Sequence, residues 1–149
     1  MLAEFIVAKA LDCDLKSVRS EWDTYDLETK DGTKIEVKSS AYLQSWHQEK
    51  LSTISFGIQR TKGWSPDTGL YEENSLRHTD LYIFALLAHK DKSTVDPLNL
   101  SQWRFYVVPT RVLDEGMIEQ KQISLGSLER LGASAVTYFQ LKETVLLAK

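Results

Sequence analysis

Residues 80–89 read DLYIFALLAH, a nearly continuous apolar run with no polar alternation. It is far too short to cross a bilayer. Its lack of alternation instead predicts a strand buried on both faces. Such a strand requires a covering layer on each side, which restricts the chain to architectures built around one central sheet.

The flanking segments supply the layers. Residues 2–11, LAEFIVAKAL, predict a helix whose apolar stripe includes Leu2, Phe5 and Ile6, with Glu4 and Lys9 off it. It starts at the first residues with no capping residue before it, which leaves room for a longer protein around this segment. Residues 53–59 alternate Ile54, Phe56 and Ile58 with Thr53, Ser55 and Gly57, a strand pattern. Residues 103–109, WRFYVVP, predict a further strand closed by Pro109. Helices are expected near 110–121, 126–132 and 138–148, and residues 41–51 read as a loop or short helix. The order of helix, several strands, then mixed elements implies an α/β or α+β layer structure. The 149 residues contain no repeat and no linker rich in Pro, Gly or Ser, so a single domain over residues 1–149 is expected.

Composition narrows the class. Apolar content of 42% and charged content of 26% suit a soluble globular chain, and no apolar run or leader points to a membrane. The single Cys13 excludes an internal disulfide and suits a reducing cytoplasm. With His47, His78 and His89 scattered, no zinc-ligand spacing exists. A net charge of −3 argues against a protein that coats nucleic acid, but not against an enzyme that gathers acids around a metal.

The chemistry is concentrated in residues 22–42, WDTYDLETKDGTKIEVKSSAY. The stretch reads as a hairpin, and its register decides which charges share a face. A two-residue loop would set Leu27 against Glu36 and mix apolar with charged groups on both faces. A three-residue loop, Lys30, Asp31 and Gly32, with Gly32 left-handed, sorts them. Thr29 then pairs with Thr33, Leu27 with Ile35 and Tyr25 with Val37, giving one apolar face. The other face carries Thr24, Asp26, Glu28, Lys34, Glu36 and Lys38. Glu28 and Lys34 make a surface ion pair in this register.

Asp26 falls opposite Glu36, with Cβ atoms about 5 Å apart. Two like charges so placed repel, and Lys38 offsets only part of this. A divalent cation would resolve the repulsion, and two carboxylates plus waters suit Mg²⁺. The residues alone leave a second reading open: a solvated strand face with partial screening.

At these residues the sequence resembles the PD-(D/E)XK nuclease superfamily, and IEVKSSAYLQSW is similar to an uncharacterised bacterial group within it. The resemblance rests on a helix before the hairpin, Asp26 in YDLET, the E-x-K triplet Glu36, Val37 and Lys38, and the strand introduced by HTDLYIFALL. It covers residues 4–44 well and the element order over about two-thirds of the chain. Tyr25 stands where the family's proline precedes the acid, a departure many members share. Asp23 competes with Asp26 as first acid, but the register puts it on the apolar parity.

The resemblance implies a restriction-endonuclease-like fold, a central mixed β-sheet flanked by helices. It implies a Mg²⁺-dependent nuclease acting on DNA, with Mn²⁺ as a substitute, in restriction or repair. Asp26 and Glu36 would hold the metal, with the Val37 carbonyl and Glu4 as further ligands. The metal would lower the pKa of an attacking water, and Lys38 would stabilise charge on the phosphorane-like transition state. Gln44, and beside it Ser40, is a candidate to position water or phosphate, against its reading as an ordinary loop residue. Dimerisation is common in such enzymes, so a homodimer is a further expectation, although no interface is legible.

Elsewhere, residues 60–78 mix Arg60, Lys62, Arg77 and His78 with Trp64 and Tyr71, a composition that suits either DNA contact or packing on the sheet. Trp46, Trp103, Phe105 and Tyr106 read as core. Asp80 either caps the site or marks where the strand meets water. Two rivals to the nuclease remain: a catalytically silent module of the same fold that binds DNA or protein, and a small α/β interaction domain whose hairpin acids are only surface.

Overall fold

The computed structural model describes residues 2–13, 25–60, 64–65, 70–71 and 77–148. Helix α1 spans Leu2–Ala10, and strands β1 (Leu27–Glu28) and β2 (Lys34–Ala41) form the hairpin. Then come β3 (Ser55–Gly57), β4 (Trp64–Ser65), β5 (Leu70–Tyr71) and β6 (Leu81–Leu87). A short 3-10 turn, Leu100–Gln102, leads into β7 (Trp103–Pro109). Helix α2 (Thr110–Met117), β8 (Gln122–Ser124), α3 (Leu125–Arg130) and α4 (Tyr138–Ala148) complete the chain.

The central sheet has the order β1-β2-β6-β7. β1 and β7 run antiparallel to their neighbours, while β2 and β6 are parallel, so the sheet is mixed. Every residue of β6 is buried, as its unbroken apolar run requires. Its partner β2 alternates instead: Ile35 and Val37 are buried, whereas Glu36 and Lys38 are half-exposed.

Each face of the sheet has its own core. On one, Ile35, Val37, Leu81, Ile83 and Phe105 pack against α1 (Ala3, Ile6, Val7) and α4 (Leu141, Val145). On the other, Tyr82, Phe84, Leu86, Tyr106 and Val108 meet Ile54, Phe56 and Ile58 with Ile123, Leu113 and Leu128. This second layer is built from α2, α3 and a two-stranded ribbon of β3 with β8, so helices flank the sheet on both sides but share one of them with strands. β8 had no legible strand signal in the sequence, being three residues long.

Two expectations about packing are corrected. On α1, Leu2 and Phe5 are exposed and the buried face is Ala3, Ile6, Val7 and Ala8. The helix is apolar almost all round, so periodicity could not choose its face, and small side chains allow the closer approach. Trp46 is not core: it is 63% exposed, whereas Trp103, Phe105 and Tyr106 are buried as expected. Residues 41–51 contain no helix; after Ala41, where β2 ends, they form a loop. Residues 60–78 are not a plain loop, since β4 and β5 pair within them.

Candidate active site

The hairpin turn has the three-residue form. Gly32 takes φ +90°, Thr29 N–H donates to Thr33 O at 2.9 Å, and Gly32 N–H donates to Thr29 O at 2.9 Å. Asp31 pins the turn by accepting from the Thr29 and Thr33 hydroxyls. The pairing Leu27↔Ile35 and Glu28↔Lys34 follows, as the sequence register predicts.

Beyond Leu27 the predicted register is corrected. Asp26 N–H donates to Ile35 O at 3.0 Å, so Asp26 and Leu27 both oppose Ile35, the two-against-one pattern of a bulge. Asp26 therefore does not pair squarely with Glu36, nor Tyr25 with Val37. Tyr25 instead joins the charged side: its hydroxyl donates to Glu28 Oε2 at 3.3 Å, and Lys34 Nζ lies 5.3 Å from its ring centroid. The ring stands in for the direct Glu28–Lys34 ion pair that the sequence suggested.

The bulge turns Asp26 onto the E-x-K triplet. Its Oδ2 accepts the Val37 N–H at 2.8 Å. This bond fixes the carboxylate beside the residue that separates Glu36 from Lys38. The N–H and C=O of a strand residue leave on the same edge, so the Val37 carbonyl is directed towards Asp26 as well. Glu36 Oε1 lies 3.0 Å from Lys38 Nζ, with side chains 19% and 34% exposed. An alternating strand places both on one face of β2.

Beside Glu36 on the neighbouring strand stands Tyr82, the β6 residue in register with it. Burial first, and the Glu36 carboxylate second, push its hydroxyl up to about 12, and Asp26 adds to the rise. The hydroxyl therefore stays protonated at any physiological pH and remains a hydrogen-bond donor in the field of both acids. Sequence reasoning missed Tyr82 because the apolar run of β6 gave it no distinguishing signal.

Arg77 is the second unforeseen feature. Its side chain is fully buried, and it donates to Ile58 O at 2.9 Å, Asp114 Oδ1 at 2.8 Å and Met117 O at 2.7 Å. It staples α2 and its C-terminal end to Ile58, the residue after β3, and is not available to DNA, which corrects one reading of residues 60–78. Arg60 pairs with Glu119 at 2.9 Å. Lys62 lies outside the described residues, as does Asp23, and the side chains of Trp64 and Tyr71 are not described.

The remaining candidates disperse. Glu4 sits on α1, which packs on the Ile35 and Val37 face, opposite to Glu36 and Lys38, and so is not brought to the pair. Gln44 turns into its own loop: Nε2 donates to Ala41 O at 3.0 Å, and its N–H donates to Gln48 Oε1 at 2.8 Å. Ser40 is half-buried near the end of β2, on the parity of Lys38. Asp80 is structural, since Oδ2 accepts Lys34 N–H at 2.9 Å and its own N–H donates to Lys34 O at 2.8 Å, extending the β2–β6 pairing by one residue.

The donor set is hard oxygen: two carboxylates and a backbone carbonyl. Among the described residues, no cluster of three or more His, Cys, Asp or Glu side chains could hold a metal ion. That set matches a cation that keeps several waters, as Mg²⁺ does. No helix among the described residues is long and apolar enough to cross a membrane.

No curated protein matches the chain, but the family model described as bacteriophage T4 endonuclease IV matches residues 1–125. That span takes in α1, the hairpin, the whole central sheet and α2. The chain belongs to the bacteriophage T4 endonuclease IV family, and this membership points to a nuclease.

Proposed function

We propose that the protein is a Mg²⁺-dependent nuclease of the PD-(D/E)XK kind, hydrolysing DNA phosphodiester bonds at Asp26, Glu36 and Lys38. The observation that carries this reading is the Asp26 carboxylate held by the Val37 N–H at 2.8 Å, next to a Glu36–Lys38 pair at 3.0 Å. A bare surface hairpin has no need of an acid turned back onto its partner strand. Family membership supplies the reaction class, and the mixed sheet with helices on both faces is compatible with a restriction-endonuclease-like fold.

Asp26 and Glu36, with the Val37 carbonyl, would hold the ion, and Mn²⁺ would serve in its place. Bound there, the metal supplies a lowered pKa for water and polarisation of the phosphoryl oxygens. The chain's own residues do the rest. In the hydrolysis, water oxygen bonds to phosphorus, one P–O ester bond breaks, and the leaving oxygen takes up a proton. Lys38 is a charged donor close to the acids, suited to the negative charge that builds on the phosphoryl oxygens. Placed 3.0 Å from Glu36 Oε1, it suits an electrostatic role better than that of a general base. Tyr82, the β6 neighbour of Glu36, adds a hydroxyl that stays protonated in the field of that carboxylate.

The test is cleavage of supercoiled plasmid and of single-stranded DNA in Mg²⁺, Mn²⁺ or EDTA, beside Lys38→Ala. Cleavage that needs metal and is lost in the variant is the expected result. Absence of both cleavage and calorimetric Mg²⁺ or Mn²⁺ binding overturns the reading.

A further inference from the structure

Trp46 is the feature that the proposed chemistry leaves unused. An indole that is 63% exposed is uncommon in a loop that is otherwise firmly tied down. Gln48 Nε2 donates to Ser52 Oγ at 2.9 Å, and Ser52 N–H donates to Tyr42 O at 3.0 Å, closing residues 42–52 into a ring. Gln44 fastens the same ring through Ala41 O and Gln48. From outside, Lys92 Nζ donates to Gln44 O at 3.1 Å and to Trp46 O at 3.0 Å, so the backbone beneath the indole is clamped. The loop spends its polar groups on holding Trp46 in solvent rather than on folding it inward.

The surroundings fit a polyanion that carries planar groups. Lys90 Nζ lies 4.6 Å from the centroid of the Tyr42 ring, Lys92 is exposed where it clamps the loop, and Lys50 is exposed within the loop itself. Of the nearby acids, Asp91 is occupied by Ser93, whose N–H and hydroxyl donate to it at 3.0 and 2.7 Å, while Glu49 is exposed. Tyr42 continues the parity of Glu36 and Lys38 and packs on the same core as Tyr82. Tyr42 follows the end of β2, four positions beyond Lys38 and about 13 Å along the extended chain, which is the span of a few nucleotides.

We propose that Trp46 is a stacking platform for an unpaired base of the DNA substrate, held on the clamped loop that follows the strand carrying Lys38. The inference rests on the nuclease reading for the identity of the polyanion, but the platform acts through binding and is measured without cleavage. Base stacking on an exposed aromatic is tolerant of sequence and requires the base to be out of a duplex.

The test is fluorescence anisotropy in EDTA, with a labelled oligodeoxythymidine of fifteen nucleotides and a blunt duplex of the same length as probes. Trp46→Ala should weaken binding of the single strand about tenfold, Trp46→Phe should restore most of it, and the duplex should change much less. Thermal melting of Trp46→Ala should match the parent, because the indole is exposed. The proposal is overturned if the parent binds neither probe, if Trp46→Ala binds like the parent, if both probes lose affinity equally, or if Phe does not rescue. The two readings separate cleanly. Stacking with neither metal-dependent cleavage nor calorimetric metal binding leaves the platform and removes the nuclease, whereas cleavage with single-strand binding indifferent to Trp46→Ala does the reverse.

Discussion

Arg77 and Lys38 each pair with a carboxylate near Tyr82: Arg77 meets Asp114 at 2.8 Å and Lys38 meets Glu36 at 3.0 Å. The Arg77 side chain is wholly buried, and backbone carbonyls take the donors that Asp114 does not. Lys38 is a third exposed, and Glu36 is its ion-pair partner among the described residues. A cation whose donors are saturated by backbone has a structural task, since breaking it strands buried polar groups. A half-exposed cation beside oriented acids still has capacity for a ligand. Charge type and proximity to acid do not distinguish the two in sequence; burial and donor saturation do.

The largest effect should come from Arg77. Arg77→Ala leaves Asp114 and several carbonyls without their donor, and the expected loss is about 3–5 kcal/mol in urea unfolding. A loss under about 1 kcal/mol would erase the contrast with Lys38. Lys38→Ala should do the opposite: on the nuclease reading, kcat falls about 10²–10³-fold, while stability stays within about 1 kcal/mol, the worth of an exposed pair. If Lys38→Ala instead unfolds the protein as Arg77→Ala does, both are structural.

Tyr82 sharpens the comparison through pH. Its folded value is raised to about 12 from an ordinary 10, so the native state keeps a proton that the unfolded chain has released. The associated stability is full below pH 10 and declines as pH rises towards 12, by roughly 2–3 kcal/mol. Tyr82→Phe should flatten the wild-type decline in urea midpoint over that window. An unchanged slope would show that another group governs it. The smallest effect is at the turn that sets the register. An added Cβ at Gly32 meets nothing within 4 Å, so Gly32→Ala costs only the strain of φ +90°, about 1–2 kcal/mol. Gly32→Asn should cost less, and the difference is readable in Tm.

Much of the frame was legible in the chain. The unbroken run of β6 announced a central strand, and KDG with its flanking threonines fixed a three-residue turn whose register held as far as Leu27. Glu36 and Lys38 were legible as neighbours on one face because alternation sorts side chains between faces. The bulge at Asp26 was not, since the sorting rule assumes an unbroken ladder. Nor was the role of Gln44, which is set by carbonyls that come together only when residues 41–52 close.

By itself the sequence determined local geometry: which segments extend, where the chain turns, and which residues of β2 can share a face. Those depend on steric preferences and period-two alternation acting over a few residues. The tertiary structure alone decided that Asp26 is held by the Val37 amide, that Tyr82 stands beside Glu36, that Arg77 is consumed by Ile58, Asp114 and Met117, and that Trp46 faces water. Each of these joins groups distant along the chain or depends on which surfaces the other layers cover. No local pattern carries that information, because burial and donor saturation exist only once the layers have met.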